Sequence, residues 1–465
     1  MKDIACKLLV IGAGPGGYVC AIRAGQLGVD TVIVESKRLG GTCLTVGCIP
    51  SKAIIHAAEE FHKARESAAG ANPLGITLSD PQIDLTKTMA WKDGAVGRLT
   101  SGVAGLLKKA KVKIVEGVAR FTDGKTVAVE TETGLQIIRA EAIVIATGSA
   151  PVALPSLPFG GPVITSTQAL ALAEVPGRLI VVGGGYIGLE LGTAFAKLGS
   201  AVTIVEAESR LLPLYDAELT RPVTKRLGEL GVRVLTGVQA KGLAAKGGAL
   251  LVAKGDEKEI RLDADKILVT VGRRPLVDGW GRDELALDMD GRSVRIDEQC
   301  RTSMRGIYAI GDVTGEPMLA HRAMAQGEMV AEFVAGHKRG WDKRAIPAVC
   351  FTDPEIVSVG LSPEAARRGG AEVLVGQFRF SANGRAMTKL DDDGFTRVVA
   401  RADNHLLLGV QAVGHDVSEL AAAFALALEM GARLEDVAGT IHAHPTLGEA
   451  FHEAALKALG RALHG

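Results

Sequence analysis

The chain has 465 residues, of which 53 are Lys or Arg and 53 are Asp or Glu, so its formal net charge at pH 7 is zero. That balance argues against nucleic acid or an acidic membrane surface as a general partner and favours small ligands. The length predicts about three domains. Because the sequence has neither an apolar run of about 18 residues nor a signal-like N-terminus, we expect no membrane span and a cytoplasmic location.

The first element predicted along the chain is an apolar strand that runs into a glycine loop and a helix. Gly12, Gly14 and Gly17 follow this strand as Gly-x-Gly-x-x-Gly, and Glu35 closes the next apolar strand. In such a fingerprint the glycines allow a tight turn, the approach of a pyrophosphate and helix packing, while the acid binds a ribose hydroxyl. A single fingerprint also occurs as a plain glycine-rich turn.

Two cysteines, Cys43 and Cys48, follow in a short segment that leads into a predicted helix. Thiols this close in sequence can form a disulfide, and a cysteine ahead of a helix feels the positive end of the helix dipole, which lowers its pKa. Structural cysteines and half of a metal site are the alternatives. The other cysteines stand singly, so no second pair completes a zinc site and no metal is expected.

The glycine fingerprint is repeated 171 residues later. Gly183, Gly185 and Gly188 follow a second apolar strand, and Glu206 occupies the place of Glu35. Two copies in register, each closed by an acid, indicate two dinucleotide-binding folds. A carboxylate at Glu206 binds the free 2′-hydroxyl of NAD and repels the 2′-phosphate of NADP, so we expect NAD. A solvated charge at a strand end is the alternative for either acid.

Three later apolar strands end in small residues. Residues 142–148 and 266–273 are expected to close the first and second nucleotide folds, and 307–312 to resume the first fold. Ligands bind at the carboxyl ends of such parallel strands, where Asp312 would offer an acceptor to a cofactor hydroxyl. A proline- and glycine-rich passage at 151–161 indicates a crossing between domains.

After about residue 347 the pattern changes to an α+β unit without a glycine fingerprint. The predicted strands of an antiparallel sheet are 348–351, 394–400 and 406–413, and the predicted helices are 418–430 and 446–463. A unit of this kind often forms an interface between subunits.

His444 precedes the last predicted helix in the segment His-Ala-His-Pro-Thr-Leu-Gly-Glu. Thr446 and Glu449 fit a capping box, which gives the segment a purely structural interpretation with His444 as a loop residue. Dithiol oxidation, however, requires proton transfer, and imidazole is the side chain best matched to that task near neutral pH. Spacing alone leaves both interpretations open.

The segments around Cys43–Cys48 and His444–Glu449 together resemble the pyridine nucleotide-disulfide oxidoreductases, and within them the dihydrolipoamide dehydrogenases, over nearly the whole chain. The resemblance implies an α/β fold with two Rossmann-like dinucleotide-binding domains, for FAD and NAD, and a C-terminal α+β dimerisation domain. The implied ranges are 1–150 for the first part of the FAD-binding domain, 151–272 for the NAD-binding domain, 273–346 for the FAD-domain continuation or central domain, and 347–465 for the dimerisation domain.

The resemblance also implies roles in the dithiol chemistry. Cys43 and Cys48 form the redox disulfide, in which Cys43 exchanges with the substrate and Cys48 lies against the flavin. Lys52 lies near the flavin N5 and has Glu190 as its partner.

The base implied by the resemblance is His444, which is oriented by Glu449 and reaches the disulfide of the other subunit. This arrangement implies a homodimer. Tyr186, inside the second fingerprint, replaces the small aliphatic residue of many dihydrolipoamide dehydrogenases with the tyrosine found in glutathione and trypanothione reductases.

Two sets of positions are expected to contact the cofactors. Those for FAD are Gly12, Gly14, Gly17, Glu35, Gly41, Thr42, Lys52, Gly117, Thr147, Gly148, Asp312 and Ala320. Those for NAD are Gly183, Gly185, Gly188, Glu206 and Gly272.

The implied reaction is the oxidation of protein-bound dihydrolipoamide to lipoamide with reduction of NAD, as part of a 2-oxo acid dehydrogenase complex. Residues 183–192 resemble the branched-chain type. The implied partners are the lipoyl domains and the acyltransferase core of that complex. One alternative is another FAD-dependent disulfide reductase, and Glu206 argues against those that require NADP. The other alternative is a non-catalytic flavoprotein subunit bound to the core, and the presence of Cys43, Cys48 and His444 argues against it.

Overall fold

The structure is a computed structural model that describes residues 3–70, 72–244, 248–255 and 257–464. Contacts group the chain into two compact units. The first comprises Met1–Ala153, Thr165–Glu174 and Val271–Asp342, and the second comprises Leu154–Ile164, Val175–Thr270 and Lys343–Gly465.

The elements follow in chain order. The strands are β1 Ile4–Ile11, β2 Thr31–Glu35, β3 Lys113–Glu116, β4 Val118–Phe121, β5 Thr126–Thr131, β6 Gly134–Ile145, β7 Ser149–Pro151, β8 Val163–Ile164, β9 Arg178–Val182, β10 Ala201–Glu206, β11 Arg233–Thr236, β12 Gln239–Leu243, β13 Ala249–Ala253, β14 Ile260–Asp263, β15 Lys266–Val269, β16 Arg273–Pro275, β17 Met289–Asp290, β18 Ser293–Val294, β19 Ile307–Ala309, β20 Ala348–Cys350, β21 Glu355–Gly360, β22 Val373–Arg379, β23 Phe395–Arg401 and β24 Leu407–Gly414. The α-helices are α1 Pro15–Gln26, α2 Gly41–Val46, α3 Cys48–Ala68, α4 Leu85–Lys109, α5 Ser166–Ala169, α6 Tyr186–Lys197, α7 Ala217–Glu229, α8 Ala320–Val334, α9 Pro363–Arg368, α10 Gly384–Thr388, α11 Ala421–Glu429, α12 Leu434–Gly439 and α13 Glu449–Ala458.

The first unit is built on a sheet in the order β3-β2-β1-β6-β5-β4, with β19 beside β6. β1, β2, β3, β6 and β19 run parallel, and β4 and β5 are antiparallel additions. Leu9 and Ile11 of β1 belong to one hydrophobic core, and Leu8 and Val10 to another. A parallel strand buried on both faces explains the uninterrupted apolar run in the sequence. β6 and β19 confirm the predicted return of two later segments to this sheet.

The second unit contains a parallel sheet in the order β11-β10-β9-β15-β8 and a three-stranded antiparallel sheet, β12-β13-β14. The two nucleotide folds repeat each other closely. Helices α1 and α6 each have 12 residues and begin 171 positions apart, at Pro15 and Tyr186. The predicted repeat is therefore confirmed at the level of strand, loop and helix.

The second unit also contains the antiparallel sheet β20-β21-β24-β23-β22, packed on α11, α12 and α13 through one hydrophobic core. This confirms the predicted sheet and, with the sheets of the two nucleotide folds, the predicted α/β fold class with a C-terminal α+β part. The helix predicted over 446–463 is too long at both ends. It begins at Glu449, and it ends where Gly460 adopts a left-handed φ of +70° and Arg461 donates its N–H to the carbonyl of Leu456.

Candidate active site

The first glycine loop joins β1 to α1, and its glycines have different surroundings. A Cβ at Gly12 would lie 2.4 Å from the carbonyl oxygen of Ala146, and one at Gly17 would lie 1.9 Å from that of Gly12. At Gly14, whose φ of −68° suits any residue, a Cβ would meet no atom within 4 Å. The loop is therefore closed on the protein side and open at Gly14, as the approach of a pyrophosphate to the N-terminus of α1 requires.

The second glycine loop, between β9 and α6, has the same division. A Cβ at Gly188 would lie 2.2 Å from the carbonyl oxygen of Gly183, whereas Gly185 has φ −78° and no neighbour within 4 Å of its Cβ. The Thr270 hydroxyl is 3.1 Å from the Gly183 carbonyl oxygen, to which it donates. The open position at Gly185 fits a second pyrophosphate. Gly272, the predicted NAD position after β15, has φ +118° and an equally open Cβ direction.

Each strand-end acid is held beside its glycine loop by backbone N–H groups. The carboxylate of Glu35 accepts from Ala13 at 2.7 Å and from Lys37 at 2.8 Å. The carboxylate of Glu206 accepts from the N–H groups at the corresponding positions of the second fold, Gly184 at 2.5 Å and Glu208 at 2.7 Å. Because a carboxylate has about four lone-pair sites, each acid keeps capacity for a ribose hydroxyl.

Cys43 lies on α2, and Cys48 is the first residue of α3. A hydrogen bond between the two thiols, together with burial, raises the pKa of Cys43. The expectation of a lowered pKa concerned the cysteine at the start of a helix, Cys48, and it stays a prediction. The N-terminus of the 21-residue helix α3 favours a negative charge there.

Helix α2 rests directly on the first glycine loop. A Cβ at Gly41 would lie 2.5 Å from the Gly14 Cα, and the Gly40 N–H donates to the Ala13 carbonyl at 2.8 Å. Thr42 is exposed beside them. The start of α2 therefore lies against the open part of the loop at Gly14. Two of the predicted FAD positions, Gly41 and Thr42, are at this start.

Lys52 follows Cys48 by about one turn on α3. Its charge lowers the pKa of Cys43, against the larger effects of the hydrogen bond and burial. The fold thus gathers the first glycine loop, the cysteine pair and Lys52.

The other predicted FAD positions follow strands of the first sheet or begin a helix of the first unit. The Thr147 hydroxyl donates to a backbone carbonyl at 2.8 Å, and a Cβ at Gly148 would have no neighbour within 4 Å. Gly117 donates its N–H to the Glu35 carbonyl at 2.9 Å, which joins the ends of two strands. Ala320 is the first residue of α8.

Asp312 follows β19 and is oriented by residues that the sequence analysis missed. The Ser149 hydroxyl donates to its Oδ2 at 2.5 Å, and the Arg273 Nε donates to the Ser149 oxygen at 2.8 Å. The buried side chain of Gln326 accepts the Gly311 N–H at 2.8 Å, which fixes the turn before Asp312. The only sequence signal was the position of Ser149 and Arg273 just after two glycine-ended strands.

His444 and Glu449 form a hydrogen-bonded dyad. The His444 Nδ1 is 2.8 Å from the Glu449 Oε1, and the other carboxylate oxygen accepts the Thr446 N–H at 2.8 Å. The imidazole is 78 % exposed. Burial acts to raise the pKa of Glu449, but the hydrogen bonds from the Thr446 N–H and from His444 hold that pKa below its usual range. The arrangement keeps Glu449 ionised, so that it can orient and stabilise a protonated His444.

Only one of the two hydrogen bonds of the predicted capping box is present, so that interpretation of the segment is partly wrong. Glu449 does accept the Thr446 N–H, but the Thr446 hydroxyl donates to the Ala443 carbonyl at 2.7 Å, and the residue at the N-cap is Gly448. A true box would have the threonine oxygen accept from the N–H of the glutamate. The carboxylate of Glu449 is instead divided between the backbone and His444.

Glu190 and Tyr186 lie on α6. Glu190 is 4 % exposed and accepts the Phe351 N–H at 2.9 Å, whereas Tyr186 is 38 % exposed. Lys52 belongs to the first unit and Glu190 to the second, so their pairing stays a prediction.

Within the described ranges, no group of three or more His, Cys, Asp or Glu side chains is arranged to hold a metal ion. Over the same ranges, every helix is too short or too polar to cross a membrane.

Two family models match the chain. Residues 6–327 match the pyridine nucleotide-disulphide oxidoreductase model, and residues 346–455 match the dimerisation domain of the same proteins. The chain belongs to the pyridine nucleotide-disulphide oxidoreductase family. It is therefore a flavoprotein oxidoreductase whose cofactors are FAD and NAD, which the two open glycine loops fit, and its dimerisation domain makes it a homodimer.

Curated relatives cover nearly the whole chain. It is 61 % identical to the dihydrolipoyl dehydrogenase of Pseudomonas aeruginosa, over 98 % of both chains. It is 46 % identical to that of Geobacillus stearothermophilus, over 99 % of this chain and 98 % of the relative.

Solved structures agree on the fold. LpdA from Mycobacterium tuberculosis superposes with a TM-score of 0.88 at 26 % identity, over 97 % of this chain and 99 % of LpdA. The HOCl-induced flavoprotein disulfide reductase RclA from Escherichia coli gives a TM-score of 0.85 at 25 % identity, over 97 % of this chain and 99 % of RclA.

Proposed function

We propose that the protein is a dihydrolipoyl dehydrogenase, which oxidises dihydrolipoamide to lipoamide and reduces NAD to NADH. The observation that carries the proposal is the contact between the Cys43 and Cys48 thiols at the N-terminus of α3, beside the open first glycine loop. Full-length identity of 61 % to a dihydrolipoyl dehydrogenase supports it.

In the substrate half of the reaction, a thiolate of dihydrolipoamide attacks the Cys43 sulfur and breaks the Cys43–Cys48 disulfide. The second substrate thiol then attacks the mixed disulfide, which releases lipoamide and leaves the cysteine pair reduced. Bound FAD and NAD supply the two-electron chemistry that restores the disulfide and yields NADH. The hydrogen bond with Cys48 raises the pKa of Cys43, which favours a proton on the Cys43 sulfur in the reduced pair.

The acid-base role belongs to His444 and Glu449. His444 takes the proton from the attacking substrate thiol at its Nε2, because its Nδ1 is engaged by Glu449 at 2.8 Å. The ionised Glu449 stabilises the imidazolium that forms. By family resemblance, this dyad serves the cysteine pair of the other subunit.

The same proposal assigns the cofactor residues. Gly12, Gly14, Gly17 and Glu35, with the other predicted FAD positions up to Ala320, hold FAD, and Lys52 lies at its reactive end with Glu190 as partner. The second loop, Glu206 and Gly272 hold NAD. The ranges 1–150, 151–272, 273–346 and 347–465 then correspond to the FAD, NAD, continuation or central, and dimerisation domains.

The proposed partners are the lipoyl domains and the acyltransferase core of a 2-oxo acid dehydrogenase complex, of the branched-chain type by the resemblance of residues 183–192. The proposed location is the cytoplasm, where reduced thiols are the rule and a cysteine pair is catalytic. Cell fractionation and co-purification with the acyltransferase test these two assignments.

The deciding experiment is the steady-state reduction of NAD by dihydrolipoamide on the purified holoenzyme, beside the same assay with NADP and the oxidation of NADPH by oxidised glutathione. Rapid turnover with NAD, at least about tenfold above that with NADP, is expected, because Glu206 disfavours a 2′-phosphate. Turnover of glutathione instead would assign another disulfide reductase, for which Tyr186 is the supporting residue. An FAD-loaded dimer without turnover would assign a structural subunit.

A further inference from the structure

The segment that carries His444 is exposed, so its position depends on a few hydrogen bonds. His444 is 78 % exposed, and Thr446 ties the segment to Glu449 through its N–H and to Ala443 through its hydroxyl. The remaining polar group of Thr446, its carbonyl oxygen, accepts a hydrogen bond from the Asn383 Nδ2 at 3.0 Å. This bond joins positions 63 residues apart in the chain.

Asn383 is built as a rigid anchor. It is 3 % exposed, its backbone N–H donates to the Phe380 carbonyl at 2.8 Å, and its Oδ1 accepts the Ala386 N–H at 3.0 Å as the N-cap of α10. Phe380 and Ala386 are both buried in the core of the antiparallel sheet. A buried amide with both of its ends bonded has little freedom to move.

The partners of Asn383 also fix which way its amide points. Ala386 presents an N–H, which requires an acceptor, and Thr446 presents a carbonyl, which requires a donor. Rotating the amide by half a turn would set donor against donor and acceptor against acceptor. The observed orientation is therefore the one that satisfies both contacts.

We propose that Asn383 is a positioning residue for the acid-base dyad, holding the Thr446 carbonyl so that His444 and Glu449 stay in register with the substrate thiol. The inference rests on the proposed function of His444 as the base. A displacement of about 1 Å in a reacting group is enough to cost on the order of 100-fold in rate, so one lost anchor on an exposed loop has a measurable effect.

The test compares Asn383→Asp and Asn383→Ser holoenzymes with wild type. Both variants keep an oxygen that can cap α10. Aspartate has no donor hydrogen at neutral pH, and serine replaces the two polar atoms of the amide with a single hydroxyl on a shorter side chain, which cannot span from the Ala386 N–H to the Thr446 carbonyl. We expect reduction of the enzyme by dihydrolipoamide in stopped flow to slow by about tenfold or more in each. Oxidation of NADH by ferricyanide, which does not need His444, stays within about twofold of wild type.

The pH dependence of the Asn383→Asp variant gives a second test, because loss of the fold's stability alone would not make its rate recover at low pH. Protonation of the carboxyl group introduced at position 383 restores a donor toward the Thr446 carbonyl. The rate of this variant relative to wild type should therefore rise as the pH falls, while the relative rate of Asn383→Ser stays flat. Groups that also face the dyad, His442 among them, are unchanged in all three proteins.

The matched control is Asn404→Asp. Asn404 accepts the Leu406 N–H at 3.0 Å in the β23–β24 hairpin, so the same substitution there alters a side-chain contact to the backbone of a different turn. We expect no change in either rate. Wild-type dihydrolipoamide rates in both Asn383 variants, with unchanged pH profiles, would overturn the inference.

A second measurement separates this inference from the proposed function. NMR titration of histidine-labelled protein, with His444 assigned through His444→Gln, reports the imidazole pKa without any turnover. A shift of the His444 pKa in Asn383→Ser but not in Asn404→Asp supports the positioning role, even if wild type fails to oxidise dihydrolipoamide. An unchanged His444 pKa in an active enzyme contradicts it.

Discussion

Single glycines show how local sequence and tertiary surroundings combine. Gly14 and Gly185 have backbone angles that any residue adopts, yet they stand where a Cβ would point into open space beside a helix N-terminus. The flanking glycines cannot be substituted in the same way, because a Cβ there would lie less than 3 Å from a backbone atom of the protein. These glycines are Gly12, Gly17 and Gly188. A substitution at Gly14 or Gly185 therefore tests ligand binding and leaves the fold alone.

Gly185→Ala should raise the KM for NAD by about tenfold, which corresponds to about 1.4 kcal/mol of binding, because the added methyl group occupies the pyrophosphate approach. FAD content and the thermal midpoint should match wild type. The measurement is steady-state kinetics at varied NAD, with Gly228→Ala as the control, since Gly228 on α7 is equally uncrowded but distant in sequence from the loop. An unchanged KM would remove Gly185 from the NAD site.

His444→Gln should slow the dihydrolipoamide half-reaction by about 100-fold or more, because general acid-base catalysis contributes about that much. The control is His405→Gln, which removes another imidazole whose Nδ1 contacts a glutamate, Glu435. Stopped-flow reduction by dihydrolipoamide distinguishes the two variants. Equal rates in His444→Gln and wild type would reject His444 as the base.

At the scale of elements, a largely buried ion cluster joins three segments of the second unit. The Asp353 carboxylate, in the turn between β20 and β21, contacts Lys197 of α6 at 2.7 Å and Arg226 of α7 at 2.9 Å. Burial acts to raise the pKa of Asp353, but the two cations hold it below its usual range. The cluster therefore fixes the helix that carries Glu190 against the sheet of the C-terminal part.

Asp353→Asn should lower the free energy of unfolding at pH 7 by on the order of 3 kcal/mol, because the buried Lys197 and the partly buried Arg226 lose their counter-charge. A folded pKa below the unfolded value of about 3.9 stabilises the protein above that pH. The difference between variant and wild type should thus be constant near neutrality and shrink as the pH falls below about 4.

Denaturant unfolding from pH 7 to pH 3, at fixed protein concentration, measures this difference. Asp265→Asn serves as the control, because the Asp265–Arg178 pair is exposed and should contribute much less. A stability difference for Asp353→Asn that is absent at pH 7 or grows toward pH 3 would contradict the assigned charge state.

At the scale of the whole molecule, the cysteine pair and the histidine dyad occur in different compact units, and the dimerisation domain carries the dyad. If His444 serves the cysteines of the other subunit, as proposed, neither mutant homodimer is active but a mixed dimer contains one intact site. Reassembly of equal amounts of Cys43→Ser and His444→Gln subunits should restore about a quarter of wild-type turnover, from random pairing of a two-fold dimer.

The measurement is NAD reduction by dihydrolipoamide before and after joint unfolding and reassembly with FAD, with each variant reassembled alone as the control. No gain over the separate variants, in samples shown to be dimeric by sedimentation, would place His444 and Cys43 of the same chain in one site.

The amino-acid sequence by itself determined the two glycine fingerprints and the cysteine pair, because the residues of each motif lie close together in the chain. It gave the pairing of His444 with Glu449 only through the family resemblance. It did not predict that α13 ends at Ala458, nor the raised pKa of Cys43, which follows from a thiol contact. Only the tertiary structure brought Ser149 to Asp312 and Asn383 to Thr446, across 163 and 63 residues. No repeat or motif in the sequence relates residues so far apart, so these hydrogen bonds depend on how the elements pack against one another.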